Sequence, residues 1–139
     1  MFSIKICEKE NVTSLMKFIS NYWSKNHILG VNRIFFRWQH FNKIKRNYNF
    51  VIAISKSKII GCHGFIKHST FSENLSKKET IWMVNWLSLK EKANSGLSLL
   101  FYPINKLKYE RIGTVGCNKV AKKIYKKFGF KTGNLNHYF

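Results

Sequence analysis

Apolar residues recur along this chain at two spacings, and the switches between them mark its elements. "FSIKIC" (2–7) alternates apolar and polar side chains, the pattern of a half-buried strand. From Asn11, a candidate N-cap, the residues Val12, Leu15, Met16, Ile19, Tyr22 and Trp23 repeat at helical spacing. "KNHILGVN" reads as a break, and "NRIFFRWQHF" then places Ile34, Trp38 and Phe41 on one helical face. "NFVIAIS" (49–55) is a nearly continuous apolar strand that "KSK" turns back into "IIGCHGFIKHSTF", a predicted hairpin. After the polar loop "SENLSKKE" comes "TIWMVNWLSL" (80–89), apolar on both faces as a doubly covered strand must be. "KEKANSG" leads into a helix whose stripe is Leu97, Leu100, Phe101, Ile104 and Leu107. Pro103 has no backbone N–H to give and should kink or divide it. "RIGTVG" reads as a short strand, "NKVAKKIYKKF" as a helix and "KTGNLNHYF" as a final strand.

The predicted order is β-α-α-β-β-β-α-β-α-β. A hairpin-connected first half followed by crossovers implies a mixed sheet with helices on its faces. Ligands of such sheets sit beyond the carboxyl ends of strands, where a helix N-terminus points back at them. The 139 residues fit a single domain, 1–139. With 45% hydrophobic and 16% aromatic residues the chain is too apolar for disorder. No apolar run is long enough to cross a bilayer, and the first residues carry no secretory pattern. Cys7, Cys62 and Cys117 are odd in number, scattered, and without metal-ligand spacing. They predict reduced thiols in a cytoplasmic protein that uses no metal.

A formal net charge of +19 changes the picture less than its size suggests. It would suit an anionic partner. It also follows from a lysine-rich composition with no Asp and with Arg33, Arg37, Arg46 and Arg111 as the only arginines. A nucleic-acid-binding module would cluster arginines or expose an aromatic platform, and here the aromatics follow core periodicity.

The chemistry concentrates in "GTVGCNKVAKKIYKKFGF" (113–130). At about 100° per residue, Cys117, Val120, Ala121, Ile124 and Phe128 share one third of the helix surface, which should face the sheet. The lysines take the opposite side, and Gly129 is a helix stop. Asn118 and Tyr125 lie on one flank between the two, roughly 10 Å apart along the axis. Read alone, they are an N-cap and an amphipathic rim tyrosine. The other reading is a ligand laid along the helix, with the phenol as its proton donor.

The pattern Asn118-x-x-Ala121-x-x-x-Tyr125-x-x-x-Gly129-Phe130 resembles the last motif of the GCN5-related N-acetyltransferase (GNAT) superfamily, N-x-x-A-x-x-x-Y-x-x-x-G-F. The element order looks like that fold too; the last third of the chain matches in motif, the rest in order only. The resemblance implies an α+β fold, a mixed, mostly antiparallel central sheet flanked by helices on both faces. It implies an N-acyltransferase that moves an acetyl or other acyl group from acyl-CoA to a primary amine, with acetyl-CoA as co-substrate. Tyr125 would protonate the departing coenzyme A thiolate, and Asn118 would contact the pantetheine or phosphate arm. The family's phosphate loop, R/Q-x-x-G-x-G/A, corresponds to "LKEKANSGLSLL". There Gly96 and Ser98 take the small positions, Leu97 lies between them, Asn94 and Ser95 precede them, and Ala93 replaces the arginine or glutamine. Backbone donors would form the cradle, with Lys90 and Lys92 adding charge. Trp86, Leu87 and Ser88 would offer main-chain groups to the cofactor amides at a local splay.

A narrower likeness, in "NHILG", "RWQHF", "GNLNHYF" and the start of the 113–130 block, is to bacterial acyltransferases that modify amino sugars for surface polysaccharides, often longer and with a further domain. It points to an amino sugar or sugar nucleotide as acceptor. The predicted central strand holds no carboxylate to serve as base; Glu79 only precedes it. His63 is the candidate base, and His68 points to the opposite face. Asn85, His40 and His137 read as packing or orienting groups near the acceptor cleft, and Cys117 as core. Partners should be a small amine, not nucleic acid, for a monomer or homodimer. The competing functions are a GNAT-like acyl-CoA binder that has lost catalysis and a basic nucleic-acid module.

Overall fold

A computed structural model of the chain describes residues 1–72, 74, 80–107 and 109–134, with Ala93 described by its backbone alone. In chain order the elements are β1 (Ser3–Cys7), α1 (Val12–Tyr22), α2 (Ile28–Val31), α3 (Arg33–His40), β2 (Phe41–Asn42), β3 (Asn47–Ser55), β4 (Lys58–Lys67), β5 (Thr80–Ser88), α4 (Ala93–Tyr102), β6 (Arg111–Gly113) and α5 (Lys119–Lys127). The sheet runs β1-β3-β4-β5-β6, with β2 paired to the start of β3. All pairs are antiparallel except β5–β6, which is parallel and follows the crossover through α4. The expected mixed, mostly antiparallel sheet with helices on both faces is therefore present.

Both faces are covered, which explains the unbroken apolar run in β3. Phe50 and Ile52 point into a cluster with Leu15, Ile19 and Phe36 of α1 and α3. Val51 and Ala53 point the other way, to Leu99 and Leu100 of α4 and Tyr125 of α5. Over 50–53, where the strand is buried on both sides, every residue is apolar; the buried Asn49 precedes that run. The β3–β4 hairpin turns on Lys56 and Ser57, both at positive φ (47° and 61°), the mirror-image turn that matches strand twist.

Capping side chains set the short helices. His27 Nδ1 accepts from the Leu29 N–H at 3.2 Å, which turns part of the predicted break into α2. Asn32 Oδ1 accepts from the Phe35 N–H at 2.9 Å and starts α3. Asn11 precedes α1 but makes no cap to it; its side chain accepts from the Glu8 N–H at 3.1 Å in the preceding turn.

Three predicted faces are corrected. In α3, Phe36 and His40 are buried, whereas Ile34 and Trp38 are 84% and 66% exposed and Phe41 only half-buried. Half of its eight residues are charged or polar, and the apolar stripe that periodicity picks out is the one that faces out; ring packing against Tyr48 and Phe50 of β3 takes Phe36 and His40 inward instead. In α4, Leu99 joins Leu100 in the core and Leu97 faces out. A Cβ on Gly61 would come within 2.8 Å of Leu99 Cδ1, so the missing side chain lets α4 settle on β4 in that rotation. Pro103 ends the α-helix as expected, and the chain widens into a π-type turn over Pro103–Leu107. In α5, Cys117 and Val120 are exposed and Phe128 is 40% exposed; Ala121, Ile124 and above all Tyr125 face inward. The predicted final strand is not strand over 131–134, and its remainder, 135–139, lies outside the described residues.

Candidate active site

The site forms where the sheet comes apart. Among the described residues β5 and β6 pair through three positions, Thr80–Arg111, Ile81–Ile112 and Trp82–Gly113. A Cβ on Gly113 would meet the Trp82 ring at 2.8 Å, so glycine is required where these strands are closest. One residue later the Thr114 hydroxyl donates to the Met83 carbonyl at 2.9 Å, and the ladder ends. β5 runs on to Ser88 without β6 beside it.

On its other edge β5 is bulged. Cys62 pairs with Leu87 and Gly64 with Val84, so the single residue His63 stands opposite both Asn85 and Trp86. Asn85 takes a left-handed backbone, φ 53°. Asparagine tolerates that region better than other non-glycine residues, which accounts for a polar residue inside an apolar strand. The expected splay is thus present, and the bulge is centred on a residue read from sequence as a packing or orienting group.

A row of rings crosses the opening. His63 stacks on Trp86 (centroids 5.3 Å, 18°), Trp86 meets Tyr125 (5.7 Å), and Tyr125 meets the edge of Phe130 (5.1 Å). The Trp86 indole N–H donates to the Gly96 carbonyl at 3.1 Å, tying β5 to the first turn of α4. Tyr125 therefore does not sit at the rim predicted for it. It is buried, at 4% exposure, against Trp86 and Phe130 beside the gap left by the parting strands. Burial pushes its phenol up to about 12, with the Thr114 side chain pulling partly back. At neutral pH it is protonated, the state a proton donor needs.

His63 is a poor base in this setting. It is 1% exposed, and neither ring nitrogen makes a hydrogen bond among the described residues. Burial lowers its pKa to about 3; the Leu99 backbone favours the charged ring slightly without reaching hydrogen-bonding geometry. His40 is also corrected. It lies in the core on the other face, between Phe36 and Phe50, with burial lowering its pKa to about 4. His68 opens a short turn after β4 and is hydrogen-bonded to the Trp82 indole. His137 and Glu79 lie outside the described residues.

The loop before α4 suits an anion through its backbone. Lys92 precedes the helix with no side-chain cap, which leaves the first N–H groups without a side-chain acceptor. Ser95 and Ser98 turn their hydroxyls to the Lys92 and Asn94 carbonyls at 2.7 and 3.0 Å, so both side chains are occupied internally. A Cβ on Gly96 would come within 3.0 Å of Ser88 Oγ, so this glycine lets the helix start approach the end of β5. Phe2, Lys90, Glu91, Lys92 and Asn94 line an open depression of about 270 Å³ beside that turn. Trp86 thus joins Tyr125 to Gly96, and Gly96 lies against Ser88, whereas the Leu87 side chain packs on the other face, against the α1 and α3 cluster, and Leu97 faces out. Asn118 lies at the start of α5, where its Oδ1 accepts from the Ala121 N–H at 2.8 Å, the ordinary work of an N-cap.

Sequence reasoning missed Thr114 and Phe130 as walls of this site. For Thr114 the available signal was a β-branched hydroxyl directly after a strand glycine in "RIGTVG".

By sequence, neither a family model nor a curated protein matches this chain. Solved structures do. The aminoglycoside N-acetyltransferase AAC(6')-Iy in complex with CoA superposes with a TM-score of 0.69 at 11% identity, over 100% of this chain and 93% of that one. The fold is that of the GNAT acetyltransferases. Glucosamine-6-phosphate N-acetyltransferase from Arabidopsis thaliana shares the fold at TM-score 0.61 and 12% identity, over 100% and 97% of the two chains. An Arabidopsis thaliana protein in complex with the bisubstrate analogue CoA-Ac-MVNAL does so at 0.68 and 17%, over 96% and 85%. These identities carry the GNAT fold and nothing finer. Among the described residues no His, Cys, Asp and Glu gather as a metal site, and no helix is long and apolar enough to cross a membrane.

Proposed function

We propose that this protein is an acyl-CoA-dependent N-acyltransferase that moves an acetyl group to a primary amine of a small molecule. One observation carries the reading: β5 and β6 part beside a bulge at Asn85, and Tyr125 lies buried against Trp86 beside the opening. The opening exposes a length of β5 whose backbone would pair with the amides of an extended ligand, as an added strand would. The uncapped turn of α4, with Lys90 and Lys92, would hold the pyrophosphate end.

In this scheme a neutral amine attacks the thioester carbon. A backbone N–H of the Asn85–Leu87 segment donates to the oxyanion, and the C–S bond breaks as the amide forms. Tyr125 donates to the departing sulfur. In the closed arrangement its phenol, at about 12, lies well above a thiol near 8.5, so full transfer would run uphill by about 5 kcal/mol. Entry of a ligand past Trp86 reverses part of the burial that raised it. The amine's own proton leaves to water, since His63 is sealed and too weakly basic, and solvent returns a proton to the Tyr125 phenolate. Fold relatives whose names specify aminoglycoside and glucosamine-6-phosphate acceptors support an amino sugar as the acceptor class, and the charge of +19 suits one bearing phosphate or nucleotide.

The test is thiol release from acetyl-CoA with a panel of amino sugars, amino sugar phosphates and sugar nucleotides. Turnover with at least one amine is expected. Acetyl-CoA binding without turnover on the whole panel would leave an acyl-CoA binder without catalysis. A salt-dependent DNA shift indifferent to acetyl-CoA would favour the nucleic-acid reading.

A further inference from the structure

We propose that the outer face of α3 docks this protein onto an anionic lipid surface. α3 buries Phe36 and His40, and at about 100° per residue Ile34 and Trp38 fall on the side directly opposite. They are 84% and 66% exposed, and Val31 and Ile28 of the adjoining α2 are 59% and 46% exposed. Four large apolar side chains in eleven residues therefore face water and serve no core.

The charge beside them is of one sign. Arg33 and Arg37 flank the Ile34–Trp38 ridge on α3, and Arg46 follows in the exposed turn before β3. Lysines are spread along the whole chain, but three of its four arginines lie in this short stretch. No acidic residue occurs between Glu10 and Glu73. Arg33 bonds to the Thr13 hydroxyl and Arg37 lies 4.5 Å from the Phe41 ring centroid. Among the described residues, the ion pairs are those of Lys5 with Glu8 and Glu10, so no carboxylate neutralises these arginines.

Charge complementarity selects the occupant. A second copy would bring two chains of +19 together with the same arginines opposed, a repulsive arrangement. A nucleic acid would satisfy the arginines but leave Ile28, Val31 and Ile34 without an apolar partner. A bilayer with anionic headgroups satisfies both sets. Aliphatic side chains enter the acyl boundary, an indole sits at headgroup level, and long cationic side chains reach up to phosphate. The proposal does not depend on the acyl-transfer reading.

The experiment is co-sedimentation with vesicles of phosphatidylcholine alone and of phosphatidylcholine mixed with phosphatidylglycerol. Size-exclusion chromatography runs in parallel. The protein is expected to bind the mixed vesicles and not the neutral ones, less tightly as salt rises. Ile34→Ser with Trp38→Ser should weaken binding by about tenfold or more while melting and circular dichroism stay unchanged, because neither side chain packs in the core. Absence of binding to the mixed vesicles would overturn the proposal. So would a double variant that binds as well as the parent, which would reduce the effect to diffuse charge. A dimer that the double variant dissolves would assign the face to a second copy instead.

Discussion

Each face of the sheet buries one histidine, His40 at 0% exposure and His63 at 1%, and among the described residues neither ring has a hydrogen bond. Their surroundings differ. His40 is wedged against Phe36 and Phe50, where β3 and β4 pair without interruption between Phe50 and Gly64. His63 stands opposite the Asn85 bulge and stacks on Trp86, one ring away from Tyr125. Burial and a lowered pKa are common to both, so neither marks a site. What distinguishes His63 is the broken ladder beside it. The same desolvation is packing on one face and part of an opening on the other.

The largest expected effect tests what the two share. The folded pKa values, about 4 for His40 and about 3 for His63, lie below the ordinary imidazole value of 6.5. Between those values the unfolded chain binds more protons, so stability falls as pH drops below about 6.5. At pH 5 each ring should cost about 2 kcal/mol relative to neutral pH, about 4 kcal/mol together. Urea unfolding at pH 7.5 and pH 5 measures this. His40→Leu should remove about half of the loss and leave turnover within about twofold. His63→Leu should remove a similar share of the loss but lower turnover, because the ring backs Trp86. Equal effects on turnover would erase the distinction between the faces.

Next in size is Tyr125→Phe. Loss of a positioned proton donor should slow turnover by about a hundredfold. Acetyl-CoA affinity, read by calorimetry, should change little, since the ring still packs against Trp86 and Phe130. If affinity falls in step with rate, the phenol is a wall and not a donor. A fourth variant sharpens the His40 side. A Cβ on Gly64 would come within 2.8 Å of two atoms of the Phe50 ring, against which His40 packs. Gly64→Ala should therefore cost about 1–3 kcal/mol by overpacking, read as a lower melting temperature.

The contrast between the faces also explains how much was legible in the sequence. β3 announced itself because both its faces are buried over 50–53, and β5 by its apolar run, although Trp82 leaves one face of β5 partly uncovered instead of doubly covered as expected. The strand–helix order followed from that, and the motif around Tyr125 pointed to the GNAT fold before any coordinates. Helix rotation was not legible. In α3 the pairs Ile34–Trp38 and Phe36–His40 are both large and half aromatic, and the polar member of the second is the one that goes inside. In α4 the choice of Leu99 over Leu97 depends on the missing side chain of Gly61, a contact made across the sheet. In α5 the stripe was drawn by hydrophobicity, which underrates a phenol. Ring contacts of Tyr125 with Trp86 and Phe130 beside the gap between β5 and β6 hold that rotation, and periodicity along one helix carries no information about a gap elsewhere.

The smallest expected effect bears most directly on that gap. Four described non-glycine residues have positive φ: Arg46, Lys56 and Ser57 lie in turns, and Asn85 lies inside a strand. If the bulge is a backbone requirement, Asn85→Gly should preserve it and leave stability within about 0.5 kcal/mol of the parent. Asn85→Ala has to hold a left-handed backbone with an ordinary Cβ and should lose about 1 kcal/mol. Turnover should follow the backbone, near parental for glycine and reduced for alanine, because a strand relaxed to regular pairing with β4 turns its donors back into the ladder. Should alanine match glycine in both stability and rate, the left-handed residue would be incidental. The opening would then rest on the parting of β5 from β6 alone, and His63 would have no more claim to the site than His40.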